Sequence, residues 1–277
     1  MMDIDTNDLA AIKTKELEML DQFVDICNRH NINYFLSGGT CLGAIRHKGF
    51  IPWDDDIDVG MLREDFEKFE KACADELPEP FFLQTMKSDP YCGLVFAKIR
   101  NTKTEMIERY CKNVQMQQGI WIDIFPYDAI PDESRSRKKY LRKVFFLRNL
   151  YIVKCGYTMP EGKTLIQHVA FHLVRIFTPF ISIKWLTRKL YKEMTRYNEI
   201  QGCSSVYPVG GAYGPEKEIK PRTMFNTFCD VEFENRSYKT IADFDGYLSQ
   251  NYGNYMQLPP LDQRKTVHDL VKIRIDS

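Results

Sequence analysis

Four carboxylates fall within five positions of the stretch SGGTCLGAIRHKGFIPWDDDIDVG, residues 37–60: Asp54, Asp55, Asp56 and Asp58. Like charges held this close repel, so a fold that contains them needs something positive among them. The flanking residues restrict what that fold is. Residues 33–37, NYFLS, read as a short strand. Gly38 and Gly39 turn the chain, and Thr40 is suited to cap a short helix through His47. Residues 57–61 read as the next strand, with the acids at its entrance.

On a strand, alternate residues share a face, so Asp56 and Asp58 point the same way while Ile57 and Val59 point into a core. Their Cα atoms would be about 6.6 Å apart, a spacing at which two carboxylates share a hard cation. Mg²⁺, or Mn²⁺, takes oxygen ligands and usually completes its shell with substrate phosphates. A third ligand is offered by GIWIDIFPYD, residues 119–128, where Asp123 interrupts an apolar run. A charge there is costly unless it is paired or bound to metal. The alternatives stay open at this point: a solvated acidic loop, and an Asp123 buried against an arginine. The glycine turn also has two readings. It is a plain strand-to-helix turn, or it is a cradle where backbone N–H groups at a helix N-terminus meet phosphate.

The remaining pattern is mixed. Helices are expected over 8–30 and about 64–76, and strands over 81–85, 93–100 and 120–126. A helical stretch follows over about 134–200, interrupted near 156–162 and at Pro179. Strand-like runs at 223–226 and 229–233 precede a helix over about 241–251. This is an α+β pattern. We divide it into a catalytic core over 1–130, a helical subdomain over 131–200, and a segment over 201–277 that completes the core.

Net charge is zero, with 38 basic and 38 acidic residues, but the distribution is uneven. From Arg135 to Lys192 there are 14 Lys or Arg and one acid, Glu161, a net +13, which leaves −13 elsewhere. Such a segment suits phosphate, nucleic acid or anionic lipid. No nucleic-acid recognition motif accompanies it, so nucleic acid is not expected as a partner. Residues 165–186 are apolar but interrupted by His168, His172, Arg175, Pro179 and Lys184, so no spanning helix is expected. The polar, acidic start does not read as a secretory signal. The eight scattered cysteines lack any C-x-x-C pair and read as free thiols. The expected location is the cytoplasm; the basic segment reads either as a helical subdomain that packs its apolar face on the core with its lysines solvated, or as a surface for peripheral contact at the inner face of an anionic membrane.

The order of strand, G-G-[S/T], short helix, D-x-D strand and later Asp resembles the nucleotidyltransferase fold. The blocks YFLSGGTCLGAIRHKGFIPWDDDIDVGM, FAKIRNTKT, GIWIDIFPYD and YGNYMQLPP together resemble the LicD family, to which fukutin-related proteins are also related. The resemblance covers about residues 34–128 and 252–260; the basic middle carries no such motif. It implies a nucleotidyltransferase-like mixed sheet with flanking helices. It also implies a phosphotransferase with a CDP-linked donor, typically CDP-choline. Phosphocholine, or a similar alcohol phosphate such as ribitol phosphate, would pass to a hydroxyl of a cell-surface glycan precursor and release CMP. Lipopolysaccharide and teichoic acid are glycans of this class, and the acceptor would be a glycan or lipid-linked glycan.

By position, Asp56, Asp58 and Asp123 correspond to the metal-binding acids, and Gly38, Gly39 and Thr40 to the nucleotide-phosphate turn. Asp54 is a candidate general base or second metal ligand. Arg46, Lys98 and Arg100 are candidate phosphate clamps, the last two sharing a face if residues 93–100 are a strand. His268 is a candidate to reach the site from the C-terminal segment, and His47 and Trp53 flank the motif. The competing enzyme reading is a nucleotidyltransferase that moves an NMP and releases pyrophosphate. A non-catalytic calcium- or lipid-binding module would instead tolerate Asp58→Asn and Asp123→Asn.

Overall fold

The computed structural model describes residues 5–159, 164–266 and 268–275. In chain order the elements are α1 (Thr6–Arg29), β1 (Phe35–Leu36), α2 (Gly38–His47), β2 (Asp58–Leu62), α3 (Arg63–Glu76), β3 (Phe81–Gln84), β4 (Ala97–Asn101), β5 (Glu105–Glu108) and β6 (Trp121–Ile130). The basic region forms α4 (Ser134–Cys155), α5 (Leu165–Phe177) and α6 (Ile183–Met194). Then come β7 (Ser205–Tyr207), α7 (Pro215–Glu218), β8 (Lys220–Pro221), β9 (Phe228–Phe233), β10 (Arg236–Ile241), α8 (Phe244–Tyr252) and β11 (Leu270–Arg274).

The central sheet runs β1-β2-β6-β4-β3, with β7 and β8 continuing from the far end of β6. β2 and β6 are parallel and the other pairs antiparallel, so the sheet is mixed and flanked by helices. β6 is its spine. Trp121, Ile122 and Ile124, with Ile120 just before the strand, are fully buried, as expected of a strand covered on both faces. α1 covers the sheet with Ile12, Met19, Leu20, Phe23, Ile26 and Cys27, a helical stripe that is fully buried. Asp5 starts α1 by accepting N–H bonds from Asn7 and Asp8.

A second core lies between α4, α6, the end of β6 and β7, built from residues such as Val144, Tyr151, Leu186, Leu190 and Tyr207. A buried ion pair, Arg63 to both oxygens of Asp128 at 2.8 and 2.7 Å, links α3 to that end of β6.

Several sequence expectations shift. Residues 222–225 form a 3₁₀ turn, not a strand, and Phe225 is buried against Phe35 and Tyr127. The strand expected over 93–100 begins only at Ala97, because Gly93 sits at φ +70° in a turn. The helix expected from 241 begins at Phe244, capped by Asp243, while Ile241 ends β10. α6 ends at Met194, short of residue 200. The break after α4 begins at Gly156, in the left-handed region at φ +92°. The part of that break from residue 160 lies outside the described residues.

Candidate active site

Strand register assembles the centre of the site. Asp58 pairs with Asp123 between β2 and β6, and Asp123 pairs with Lys98 between β6 and β4. Residues opposite one another on neighbouring strands project to the same face, so the three side chains form one row across the sheet. Lys98 and Asp123 are both buried, with Nζ 2.7 Å from Oδ1. Lys98 also lies over the Trp121 ring, 4.0 Å from its centroid. The partner of Asp123 within the protein is therefore this lysine and not an arginine.

The glycine turn packs directly on the acids. Gly38 has φ +52°, and a Cβ there would come within 2.6 Å of an Asp58 carboxylate oxygen. A Cβ on Gly39 would come within 2.8 Å of an Asp54 oxygen. Side chains at these positions would displace the carboxylates. The Gly38 N–H donates to the Tyr247 hydroxyl at 3.1 Å. α2 begins at Gly38, with Ser37 at the cap position, so Thr40 is not the cap. Thr40 is buried inside the helix, and its Oγ1 accepts the Asp58 N–H at 2.7 Å. Its hydroxyl holds the D-x-D strand in place and does not line the cavity.

One oxygen each from Asp56, Asp58 and Asp123 lie within 4.8 Å of one another, and so do one each from Asp54, Asp55 and Asp56. Burial first, then the neighbouring carboxylates Asp56 and Asp55, push Asp54 up to about 8. Burial, with Asp123 and Asp55 adding and His268 opposing, pushes Asp56 up to about 6. Asp58 is raised well above the carboxylate range, by burial and then by Asp56, Asp123 and Asp54. These groups resist ionising side by side, which is the electrostatic situation a divalent cation relieves. The hard oxygen donors and their spacing fit Mg²⁺ or Mn²⁺.

His268 arrives from just before β11. Its Nδ1 is 3.0 Å from Asp55 Oδ1, and its Nε2 is 3.9 Å from Asp56 Oδ2. Its ring meets Trp121 edge-on at 5.2 Å. Burial alone would lower its pKa. The bond to Asp55 and the charges of Asp56, Asp55 and Glu108 outweigh this and raise it to about 10, so the ring is cationic at neutral pH. Asp55 is fully buried and engaged with this ring, not exposed.

These residues open onto a cavity of about 390 Å³. Gly38, Gly39, Asp54, Asp56, Asp58, Asp123, Lys98, His268 and Trp53 all line it. Arg46 and Arg100 do not. Arg46 donates to the Tyr255 carbonyl at 2.7 Å and ties α2 to the loop after α8. Arg100 is buried against Gln84 and the Gly119 carbonyl at 2.6 and 2.8 Å. Part of the cavity wall is aromatic, which the sequence pattern does not anticipate, and it begins beside the acids, with Lys98 Nζ 5.5 Å from the Phe96 ring centroid. Phe96 and Phe125 stack at 4.6 Å between centroids, and Tyr213 meets Tyr252 edge-on at 5.3 Å. Glu218 lines the same wall and accepts the Gly214 N–H at 2.9 Å. The glycine-rich stretch PVGGAYG, residues 208–214, was the available sequence sign of this wall.

The family model described as LicD/FKTN/FKRP, nucleotidyltransferase domain, matches residues 31–146. The lipopolysaccharide cholinephosphotransferase LicD of Haemophilus influenzae is 32% identical over 259 residues, covering 91% of this chain and 92% of that protein. The human ribitol 5-phosphate transferase FKRP is 26% identical over 105 residues, covering 36% of this chain and 21% of that protein. The human ribitol-5-phosphate transferase FKTN is 30% identical over 66 residues, covering 24% of this chain and 14% of that protein. The chain belongs to the LicD family and is a LicD-like phosphotransferase.

Proposed function

We propose that this enzyme moves phosphocholine, or a similar alcohol phosphate, from a CDP-linked donor to a hydroxyl of a cell-surface glycan precursor and releases CMP. The observation that carries the reading is the row Asp58–Asp123–Lys98 beside Asp56 and His268, facing one cavity with the glycine turn. Full-length similarity to a cholinephosphotransferase supports the group transferred.

Asp56, Asp58 and Asp123 would hold the Mg²⁺ or Mn²⁺. A bound divalent ion would neutralise diphosphate charge and assist departure of CMP. The protein supplies positioning, which phosphoryl transfer needs more than a covalent nucleophile. The acceptor oxygen attacks the phosphorus that carries the alcohol, the bond from that phosphorus to the CMP oxygen breaks, and the acceptor proton leaves to a base. Asp54, on the cavity wall beside Gly39, would take that proton or complete the cation's ligands. Lys98 and the His268 cation line the cavity and would meet the donor's phosphates with positive charge. The aromatic wall suits stacking of the base and contact with a quaternary ammonium group.

The test is product analysis of the purified protein with Mg²⁺ and CDP-choline, CDP-ribitol, CTP or ATP, with slow hydrolysis standing in for the acceptor. CMP from a CDP-alcohol, lost in Asp58→Asn, is the expected result. Pyrophosphate from an NTP would replace this reading with nucleotidyl transfer.

A further inference from the structure

α5 has three faces. Phe171 and Val174 are half-buried on one, and His168, His172 and Arg175 are exposed on another. The third carries Leu165, Val169, Leu173, Ile176 and Phe177 at helical spacing and runs on to Phe180. These six apolar side chains are between 53% and 87% exposed. A stripe of this kind normally faces a core. Here nothing in the described residues covers it. Just beyond it, Trp185 on α6 is 54% exposed, between Lys184 and Arg188.

The charge around the stripe selects its occupant. The segment from Arg135 to Lys192 is +13 in sequence. Among the described residues, Arg175, Lys184, Arg188 and Lys189 are exposed and have no acidic partner. A recess of about 360 Å³ has Lys87, Lys184 and Arg188 on its wall. Exposed aliphatic groups, a Phe and a Trp at one end, and flanking cations form the pattern of a helix that lies in a membrane interface. No single described helix is long and apolar enough to cross a membrane; α5 and α6 together have the length and composition only as a sharply bent pair, and α6 keeps Leu186, Leu190 and Met194 buried against the protein.

We propose that the exposed face of α5, continued by Phe180 and Trp185, docks in the plane of an anionic bilayer, with Arg175, Lys184, Arg188 and Lys189 meeting lipid phosphates. This goes beyond the reading of the cleft and does not depend on it. Docking would bring the catalytic domain to acceptors anchored in that surface.

The test is flotation of the full chain with vesicles of phosphatidylcholine alone or with about one-third phosphatidylglycerol. Wild type is expected to float with the anionic vesicles only, less so as salt rises. Leu173→Glu with Phe177→Glu should weaken binding at least tenfold, as expected from about tenfold per large side chain withdrawn from an apolar phase. Lys184→Glu with Arg188→Glu should weaken it by roughly fivefold or more per cation. Trp185 emission should shift to the blue on anionic vesicles, and Trp185→Phe should remove the shift. Failure of wild type to float, or equal flotation of the Leu173/Phe177 variant, overturns the proposal. So does a wild-type dimer that becomes a monomer in that variant with no vesicle binding by either. CMP release from a soluble donor by the same variant should equal wild type, which keeps a failure here separate from a failure of the cleft reading.

Discussion

The acidic cleft and the basic helices solve opposite problems. The cleft buries charge where apolar side chains would pack more cheaply. α5 exposes apolar side chains where charge would be expected. In the cleft the compensation is internal. Lys98 faces Asp123, His268 joins Asp55, and the glycine turn leaves room for two carboxylates. Even so, Asp54, Asp56 and Asp58 keep raised pKa values, so the compensation is incomplete. On α5 no internal compensation exists among the described residues. Each departure from ordinary burial is left partly unsatisfied, and the proposed ligands would relieve it: a cation with a diphosphate in the cleft, a lipid surface on α5.

The comparison breaks first at the cleft. Asp58→Asn and Asp123→Asn should each lower turnover by on the order of 10³-fold, the scale of losing a charge-stabilising group in phosphoryl transfer. Their stabilities should diverge. Asp58→Asn removes a carboxylate that repels its neighbours and should raise the melting temperature of metal-free protein. Asp123→Asn strips Lys98 of a buried ion pair and should cost about 2 kcal/mol. Thermal melts of both variants, alongside CMP release, check this. A loss of stability in Asp58→Asn would mean the cluster is not under repulsive strain.

His268→Gln keeps a hydrogen bond to Asp55 but not the cation. A loss of about 10–100-fold in kcat is expected, the scale for groups that orient metal ligands. The pH profile should change with it, because Asp56 loses a positive neighbour.

The pH dependence has a definite sign. Asp56 and Asp54 have folded pKa values raised to about 6 and about 8, and His268 is raised to about 10. Each group binds protons more tightly in the folded state, so its contribution is complete below its unfolded pKa and is lost as pH rises through the folded value. Metal-free protein should therefore lose stability between about pH 4 and pH 10. Added Mg²⁺ should restore more of it at pH 8 than at pH 5. Melting temperatures across that range, with and without Mg²⁺, measure both effects.

The smallest expected effect is at Thr40. Thr40→Val removes the acceptor for the Asp58 N–H and should cost about 1 kcal/mol, while Thr40→Ser should keep most of it. Chemical denaturation resolves the difference.

The cleft could be read from sequence where its parts are neighbours in the chain. The D-x-D strand, the glycine turn and the apolar run around Asp123 each carry a local pattern. What could not be read depends on long-range pairing. β11 pairs with β5, and this delivers His268, a candidate already in the sequence, to acids more than two hundred residues away; the pairing that brings it there is what the sequence does not show. The polar segment before it gives little sign of a strand. β10 was missed because its hairpin turns on Glu234–Asn235, both at positive φ, without the glycine that usually marks such a turn. Alternation placed Lys98 and Arg100 on one face. It could not show that Arg100 would be consumed by Gln84 and Gly119 while Lys98 met Asp123. Thr40 reads as a cap because nothing local shows that Gly38 and Gly39 already belong to the helix, whose cap, Ser37, lies three residues earlier.

Calorimetric titration of CDP-choline into the protein with and without Mg²⁺, repeated with Asp58→Asn, reads the cleft itself. Binding should require Mg²⁺ and be lost in the variant. Equal binding without the metal, or undiminished binding by Asp58→Asn, would mean that these carboxylates do not hold a cation for the donor.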